Sequence, residues 1–282
     1  VTAAYGKRYA VEIDNVAGTI DCVTRGKKTD VACGDRVEVK LTGSNQGVIE
    51  HILPRSSLLY RSSAYRSKML AANATQAVIV LATVPSFYEE LLNRCLIAAE
   101  AAGIKALIVL NKCDIGESAA AQSRLELYSA LGYRVQALSA KQDISPLKPW
   151  LEDETSVMVG QSGMGKSTII NALLPDSDVR TQEVSDVLDS GKHTTTATHL
   201  YHLNQNTQLI DSPGMQEFGL HHLSIEDLEQ AFIEFRPFLG KCRFANCRHM
   251  KEPDCAVMLA VENNHIASQR LGYYQSLVSE LG

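Results

Sequence analysis

The chain has 282 residues, 45% hydrophobic and 21% charged, ordinary proportions for a globular protein with room for about two to three domains. No run approaches the ~20 apolar residues that span a bilayer, so a membrane-spanning class is set aside. The net charge of −5 is uneven: residues 1–68 carry 11 Lys/Arg against 7 Asp/Glu, and the remainder carries 16 against 25. A basic first segment on an acidic body fits contact with an anionic partner such as nucleic acid.

Seven cysteines stand at positions 22, 33, 95, 113, 242, 247 and 255, four scattered and three clustered with a histidine. An odd count at uneven spacing suits a reducing compartment and one metal site better than a disulfide framework. The chain opens at Val1 rather than Met, with no signal peptide in view, and a trimmed natural N-terminus is expected.

Residues 1–60 hold short alternating segments at 9–13, 19–23, 36–41 and 47–53, broken by Gly18, Gly26, Gly34 and Gly43. Strands at this spacing predict a small β-barrel, OB-type or SH3-like, the OB type favoured because it closes five strands and commonly binds nucleic acid. Residues 54–74 read as a polar connector rich in Ser and Arg. From there to about 220 strands and helices alternate, which predicts an α/β domain with a mostly parallel sheet. Strands are expected at 76–82, 105–110, 133–138, 157–159, 201–203 and 208–210. Helices are expected at 88–102, with Leu91, Leu92, Cys95 and Ala99 on one side, and at 118–131 and 166–174. Beyond residue 220 the strands stop. Ser224 to Asp227 forms a capping box for a helix running to about 235, and two more helices are expected at 256–263 and 266–281. The expected domains are 1–60, 61–220 and 221–282.

Gly160-Gln161-Ser162-Gly163-Met164-Gly165-Lys166-Ser167 fits the phosphate-loop pattern G-x4-G-K-[ST] between a strand and a helix, and Thr168 follows it. Such a loop wraps backbone N–H groups around phosphate oxygens at a helix N-terminus. Lys166 is positioned to neutralise the β- and γ-phosphates and Ser167 to ligate Mg²⁺. Asn111-Lys112-Cys113-Asp114 fits N-K-x-D at a strand end. A buried Asp114 carboxylate accepts from the N1–H and 2-amino group of guanine and finds no such donors on adenine. Ser139-Ala140-Lys141 at the next strand end supplies amides for the guanine O6. Asp211-Ser212-Pro213-Gly214 fits D-x-x-G, with Asp211 serving Mg²⁺ through water and the Gly214 N–H sensing the γ-phosphate. Between the phosphate loop and D-x-x-G lies Gly191-Lys192-His193-Thr194-Thr195-Thr196. Thr195 or Thr196 is expected to complete Mg²⁺ coordination. Met215 follows D-x-x-G where a water-orienting Gln is common, so slow intrinsic hydrolysis is expected. Either His193 or a partner then positions the water. Finally Cys242-x4-Cys247-x-His249-x5-Cys255 meets the ligand count of a closed, structural Zn²⁺ site.

These motifs run in permuted order, base-reading before phosphate-binding. That order resembles the RsgA (YjeQ) family of circularly permuted bacterial GTPases. Gly34-Asp35-Arg36-Val37, Pro54-Arg55, Asn246-Cys247-Arg248-His249 and Glu252-Pro253 are similar to that family too. Met164 stands where Val is usual there, and Lys192 where Arg is usual. The resemblance implies an OB barrel touching ribosomal RNA, a permuted GTPase domain and a C-terminal helical zinc domain. It also implies a cytoplasmic GTPase, read as a monomer, that acts late in small (30S) subunit assembly and is stimulated by that subunit.

Overall fold

The computed structural model describes residues 1–281 apart from 15, 17, 27–29, 64–65, 175–196 and 213–217. Strands β1 (Ala3–Tyr5), β2 (Arg8–Glu12), β3 (Thr19–Thr24), β4 (Val37–Leu41) and β5 (Gln46–Ile52) open the chain. Their side chains alternate as a half-buried sheet requires. Tyr9 and Val11 of β2 and Ile20 and Cys22 of β3 turn inward, while Arg8, Glu12 and Val23 are exposed. The spatial order is β1-β2-β3-β5-β4, with β3 and β5 parallel and the other neighbours antiparallel. Tyr9, Val11, Ile20, Cys22, Val31 and Ile49 form a core of their own.

The Asp35 carboxylate is buried beneath this unit. It accepts from Arg55 through Nε and Nη2, both at 2.7 Å, and from the Ala32 N–H at 2.7 Å. A two-pronged Arg–carboxylate pair of this kind fixes direction as well as distance. Here it locks the start of β4 to the exit from β5, which accounts for the Gly34–Val37 and Pro54-Arg55 stretches as one structural device.

The stretch that reads as a polar connector is a hairpin, β6 (Leu58–Ser63) paired with β7 (Arg66–Ala72). Its apolar residues, Leu59, Leu70, Ala71 and Ala72, sit at the base and are buried. The apolar runs here, Leu58-Leu59-Tyr60 and Met69 to Ala72, are too short among Ser and Arg to announce two strands.

The α/β region then unfolds in chain order: β8 (Gln76–Ala82), α1 (Glu89–Ala101), β9 (Lys105–Asn111), α2 (Ser118–Ser123), α3 (Glu126–Ala130), β10 (Arg134–Ala137), α4 (Lys148–Leu151), β11 (Thr155–Val159), α5 (Lys166–Leu173), β12 (Thr198–His202) and β13 (Gln208–Asp211). The sheet order is β10-β9-β8-β11-β13-β12, parallel except for β12. Every residue of β8 is buried, as a central parallel strand demands. The expected helix over 118–131 is broken at Arg124. That side chain turns back to Glu89 (2.8 Å), Ser86 Oγ (3.0 Å) and the Phe87 carbonyl (3.1 Å). β12 also pairs antiparallel with β1, Ala3 opposite His199 and Ala4 opposite Thr198, so the opening strands and the α/β sheet are hydrogen-bonded into one.

Helices α6 (Ile225–Ala231), α7 (Ala256–Glu262) and α8 (Ser268–Leu281) complete the chain. The capping box forms: Ser224 Oγ accepts from the Asp227 N–H at 3.0 Å and the Ser224 N–H donates to Asp227 Oδ2 at 3.2 Å. α6 ends earlier than expected, and Phe232 and Phe235 leave it to stack on each other and to meet Tyr274 of α8 edge-on. α6 packs on α1. As a result Asn93, Leu96, Ile97 and Ala98 are buried along with the expected apolar side. Arg270 of α8 is wholly buried. It donates to Glu234 at 2.5 Å and to the Asn93 side-chain amide oxygen, and lies 4.5 Å over the Phe232 ring. The C-terminal helices therefore share one continuous apolar core with the sheet.

Candidate functional site

Strands β8, β9, β10, β11 and β13 all point the same way, so the loops at their C-terminal ends converge, the usual place for a ligand in such a sheet. Four of these loops carry the sequence-predicted residues. Asn111, the last residue of β9, is 2% exposed and holds two of the others. Its amide nitrogen donates to the Met164 carbonyl (3.1 Å), and its amide oxygen accepts from the Ala140 N–H (3.0 Å). One side chain thus fixes the phosphate loop against the Ser139-Ala140-Lys141 loop. Lys112 has φ +61, a backbone region that side chains rarely adopt, and its Nζ donates to the carbonyls of Gly163 (2.6 Å) and Val84 (2.8 Å). The Cys113 N–H donates to the Leu138 carbonyl at the end of β10 (3.1 Å).

Asp114 is exposed at the edge of this platform. Its carboxyl is held below the usual carboxylate range, first by the neighbouring Ser139 hydroxyl and then by backbone, Lys141 and Lys112. Among the described residues the Ser139 hydroxyl has no hydrogen-bond partner, so it acts on Asp114 as a nearby dipole. Sequence reasoning treats this carboxylate as buried. It stands open to solvent.

The phosphate loop, Gly160 to Gly165, needs its glycines for space. A Cβ on Gly160 would lie 2.3 Å from the Val80 carbonyl oxygen, and one on Gly165 would lie 2.4 Å from the Asn111 amide nitrogen, at φ +145 and +93. Met164 is fully buried beneath the loop, while Ser162 and Gly163 are exposed. Lys166 opens α5 and is 8% exposed. Its Nζ donates into the loop, to Gly160 (2.9 Å) and Gln161 (3.2 Å). Burial lowers its pKa, and Asp211 works against that shift. Ser167 is exposed and Thr168 half-buried on the first turn. Asp211 ends β13, in register with Met158 of the strand that feeds the phosphate loop. The Ser167 hydroxyl and the Asp211 carboxylate are hard oxygen donors at the ends of neighbouring elements, a set that suits Mg²⁺. Gly214, His193, Thr195 and Thr196 lie outside the described residues.

One contributor was missed in the sequence. Thr83, just past β8, donates from its hydroxyl to the carbonyls of Lys112 (2.8 Å) and Ile115 (2.7 Å) and pins the base-reading loop. It carries no motif, but it follows a parallel strand lying between two motif-bearing strands, and that placement is the signal that could have found it.

The second site lies beside α7. The Sγ and Nδ1 atoms of Cys242, Cys247, His249 and Cys255 all fall within 4.8 Å of one another. His249 Nδ1 is 3.6, 3.6 and 3.2 Å from the sulfurs of Cys242, Cys247 and Cys255, and Cys242 and Cys255 are 3.9 Å apart. Tetrahedral Zn²⁺ with the usual bond lengths needs edges of about 3.5 Å for S–N and about 3.8 Å for S–S. The donor set and its spacing therefore fit zinc. Burial lowers the His249 pKa, so the ring is held neutral as a ligand must be. The loop between the ligands is folded around Glu252, which accepts from the N–H groups of Arg248 (2.9 Å), Met250 (2.8 Å) and Lys251 (3.0 Å). Burial opposes ionisation of Glu252, but these N–H groups outweigh it and bring the pKa down to about 2.

A phosphate loop that follows, rather than precedes, its base-reading loops on a parallel sheet defines a circularly permuted P-loop GTPase. Comparison with known proteins narrows the class. The family model for the RsgA GTPase matches residues 52–221. The chain is 54% identical over its full length to the small ribosomal subunit biogenesis GTPase RsgA of Nitrosospira multiformis, and 51% identical to that of Nitrosomonas europaea, covering 90% of each. Among solved structures it is similar to YjeQ from Thermotoga maritima, with TM-score 0.76 and 30% identity over 100% of this chain and 96% of that one. It is also similar to YloQ, a circularly permuted GTPase, with TM-score 0.71 and 28% identity over 100% and 93%. The chain belongs to the RsgA GTPase family.

Proposed function

We propose that this GTPase hydrolyses GTP to GDP and phosphate during late maturation of the small (30S) ribosomal subunit, and that the subunit stimulates it. The observation that carries the nucleotide part is Asn111, whose two hydrogen bonds join the base-reading and phosphate-binding loops into one platform. The ribosomal part follows from family membership and from relatives named for small-subunit biogenesis.

Within that reading, Asp114 selects guanine, Ala140 and its neighbours offer amides to the base, and the Lys112 stem covers the ring. Gly160 to Gly165 wrap the phosphates, and Lys166 turns from the loop carbonyls to the β- and γ-phosphates. Ser167, Asp211 and Thr195 or Thr196 hold Mg²⁺, which supplies charge neutralisation across the phosphates. Phosphoryl transfer needs mainly positioning and charge compensation, and these residues provide both. Met215 cannot orient water, so His193 or the ribosomal partner does. The strand order β1-β2-β3-β5-β4 supports an OB-type barrel as the surface for ribosomal RNA. Cys242, Cys247, His249 and Cys255 hold one structural zinc.

Co-sedimentation tests the partner. With a non-hydrolysable GTP analogue the chain pellets with purified small subunits, and with GDP much less. Equal pelleting with small and large subunits in both states contradicts the proposal.

A further inference from the structure

The geometry points to Glu229 as the outer partner of the metal centre, a positioning residue that fixes the His249 ring and ties the zinc to α6. The inference rests on reading the Cys3His cluster as a zinc site. His249 faces the three sulfurs through Nδ1, which must then offer a lone pair, so the ring proton sits on Nε2. Nε2 is fully buried and has no hydrogen-bond partner among the described residues. A buried N–H of this kind needs an acceptor. The carboxylate within 4 Å is Glu229, its Oε1 3.7 Å away. Closing that gap by under about 1 Å gives a hydrogen bond of ordinary length.

The surroundings favour that closure. Tyr274 of α8 donates its hydroxyl to the same Glu229 oxygen at 3.2 Å, which holds the carboxylate at the imidazole edge. The rings of Phe235 and Tyr274 lie 6.2 and 5.9 Å from the His249 ring and keep the place apolar. Of the carboxylates between the ligands, Glu252 is committed to three backbone N–H groups and Asp254 to Arg243 at 2.9 Å. The resulting relay is metal, imidazole, carboxylate, phenol. Carboxylates placed in this way orient metal-bound histidines and raise their basicity.

The relay also has a structural consequence. Glu229 belongs to α6, which packs on α1 of the α/β region. The metal centre is thus held to the helix nearest the exit from the Asp211 strand, and not only to its own loop.

The test compares wild type, Glu229→Gln, Glu229→Ala and Tyr274→Phe in the full-length chain. Zinc content is measured by elemental analysis and zinc release by a chromophoric chelator. The His249 Nε2 proton is followed by nitrogen-edited NMR. Wild type is expected to hold one zinc and to show a slowly exchanging Nε2 proton. Glu229→Ala is expected to release zinc about 10- to 100-fold faster and to lose that resonance. Glu229→Gln keeps a neutral acceptor, so its resonance persists at a shifted position with an intermediate release rate, and Tyr274→Phe moves release in the same direction by less. Release from Glu229→Ala at the wild-type rate, with the Nε2 proton unchanged, overturns the inference. Wild type that binds no zinc overturns the underlying metal assignment instead.

Discussion

Replacing Gly165 by alanine probes the joint on which the nucleotide platform depends. Two costs arise from the geometry. At φ +93 a side chain is strained, by about 1–2 kcal/mol. The new Cβ would also lie 2.4 Å from the Asn111 amide nitrogen, so that side chain must move and give up its bond to the Met164 carbonyl. Leaving a buried polar group unpaired costs about 1–3 kcal/mol. The sum of about 2–5 kcal/mol corresponds to roughly 30-fold to several thousand-fold weaker nucleotide binding. Titration with a fluorescent GDP analogue measures it. The same substitution in an Asn111→Ala background meets no amide and is expected to cost only the backbone part, about 1–2 kcal/mol. Equal costs in both backgrounds, or a dissociation constant within threefold of wild type for Gly165→Ala alone, would refute the clash and with it the coupling role of Asn111.

Asp114→Asn replaces an acceptor pair by one acceptor and one donor, so GTP affinity is expected to fall by roughly 100-fold or more while xanthosine triphosphate binding improves, read by nucleotide competition. Glu234→Ala leaves the fully buried Arg270 guanidinium without its carboxylate and is expected to lower stability by about 3–5 kcal/mol in urea unfolding. The Arg94 hydrogen bond holds Glu280 below its ordinary value of 4.5. This pair therefore contributes in full above about pH 4.5 and is lost as pH falls through the depressed value. Glu280→Gln is expected to flatten the stability profile in that acid window while changing it little in shape at neutral pH.

Most of the nucleotide platform was legible because each motif combines residue type with a strand end, and parallel strands bring such ends together wherever they fall in the sequence. The permuted order is invisible to that logic, and Asn111 meets Met164 across 53 residues without difficulty. The cysteine–histidine spacing was legible for a similar reason, since four soft donors within 14 residues have few other uses. What stayed hidden depends on contacts between distant segments. Leu96, Ile97 and Ala98 give α1 a broader apolar surface than one face requires, but nothing in the local pattern names α6 as its cover. Arg270 looks like a solvent-exposed helix residue until Glu234 and Asn93 close around it. The pairing of β1 with β12 involves only a three-residue strand, too short to carry a periodic signal. Thr83 acts through its hydroxyl on backbone carbonyls, an interaction that leaves no motif.

The permuted order decides which segments adjoin the nucleotide motifs in the chain. The chain enters the sheet from the basic first segment and leaves it, after Asp211, toward α6 and the metal centre. In the proposed function the first segment offers a surface for ribosomal RNA and the Cys3His cluster holds a zinc, one before and one after the nucleotide motifs in the chain, and His193 or the ribosomal partner positions the water that Met215 cannot. GTP turnover titrated with purified small and large ribosomal subunits tests this most directly. Slow turnover by the chain alone is expected, with a saturable rise on adding small subunits that large subunits do not reproduce. Turnover unchanged by small subunits, or raised equally by both, would contradict it.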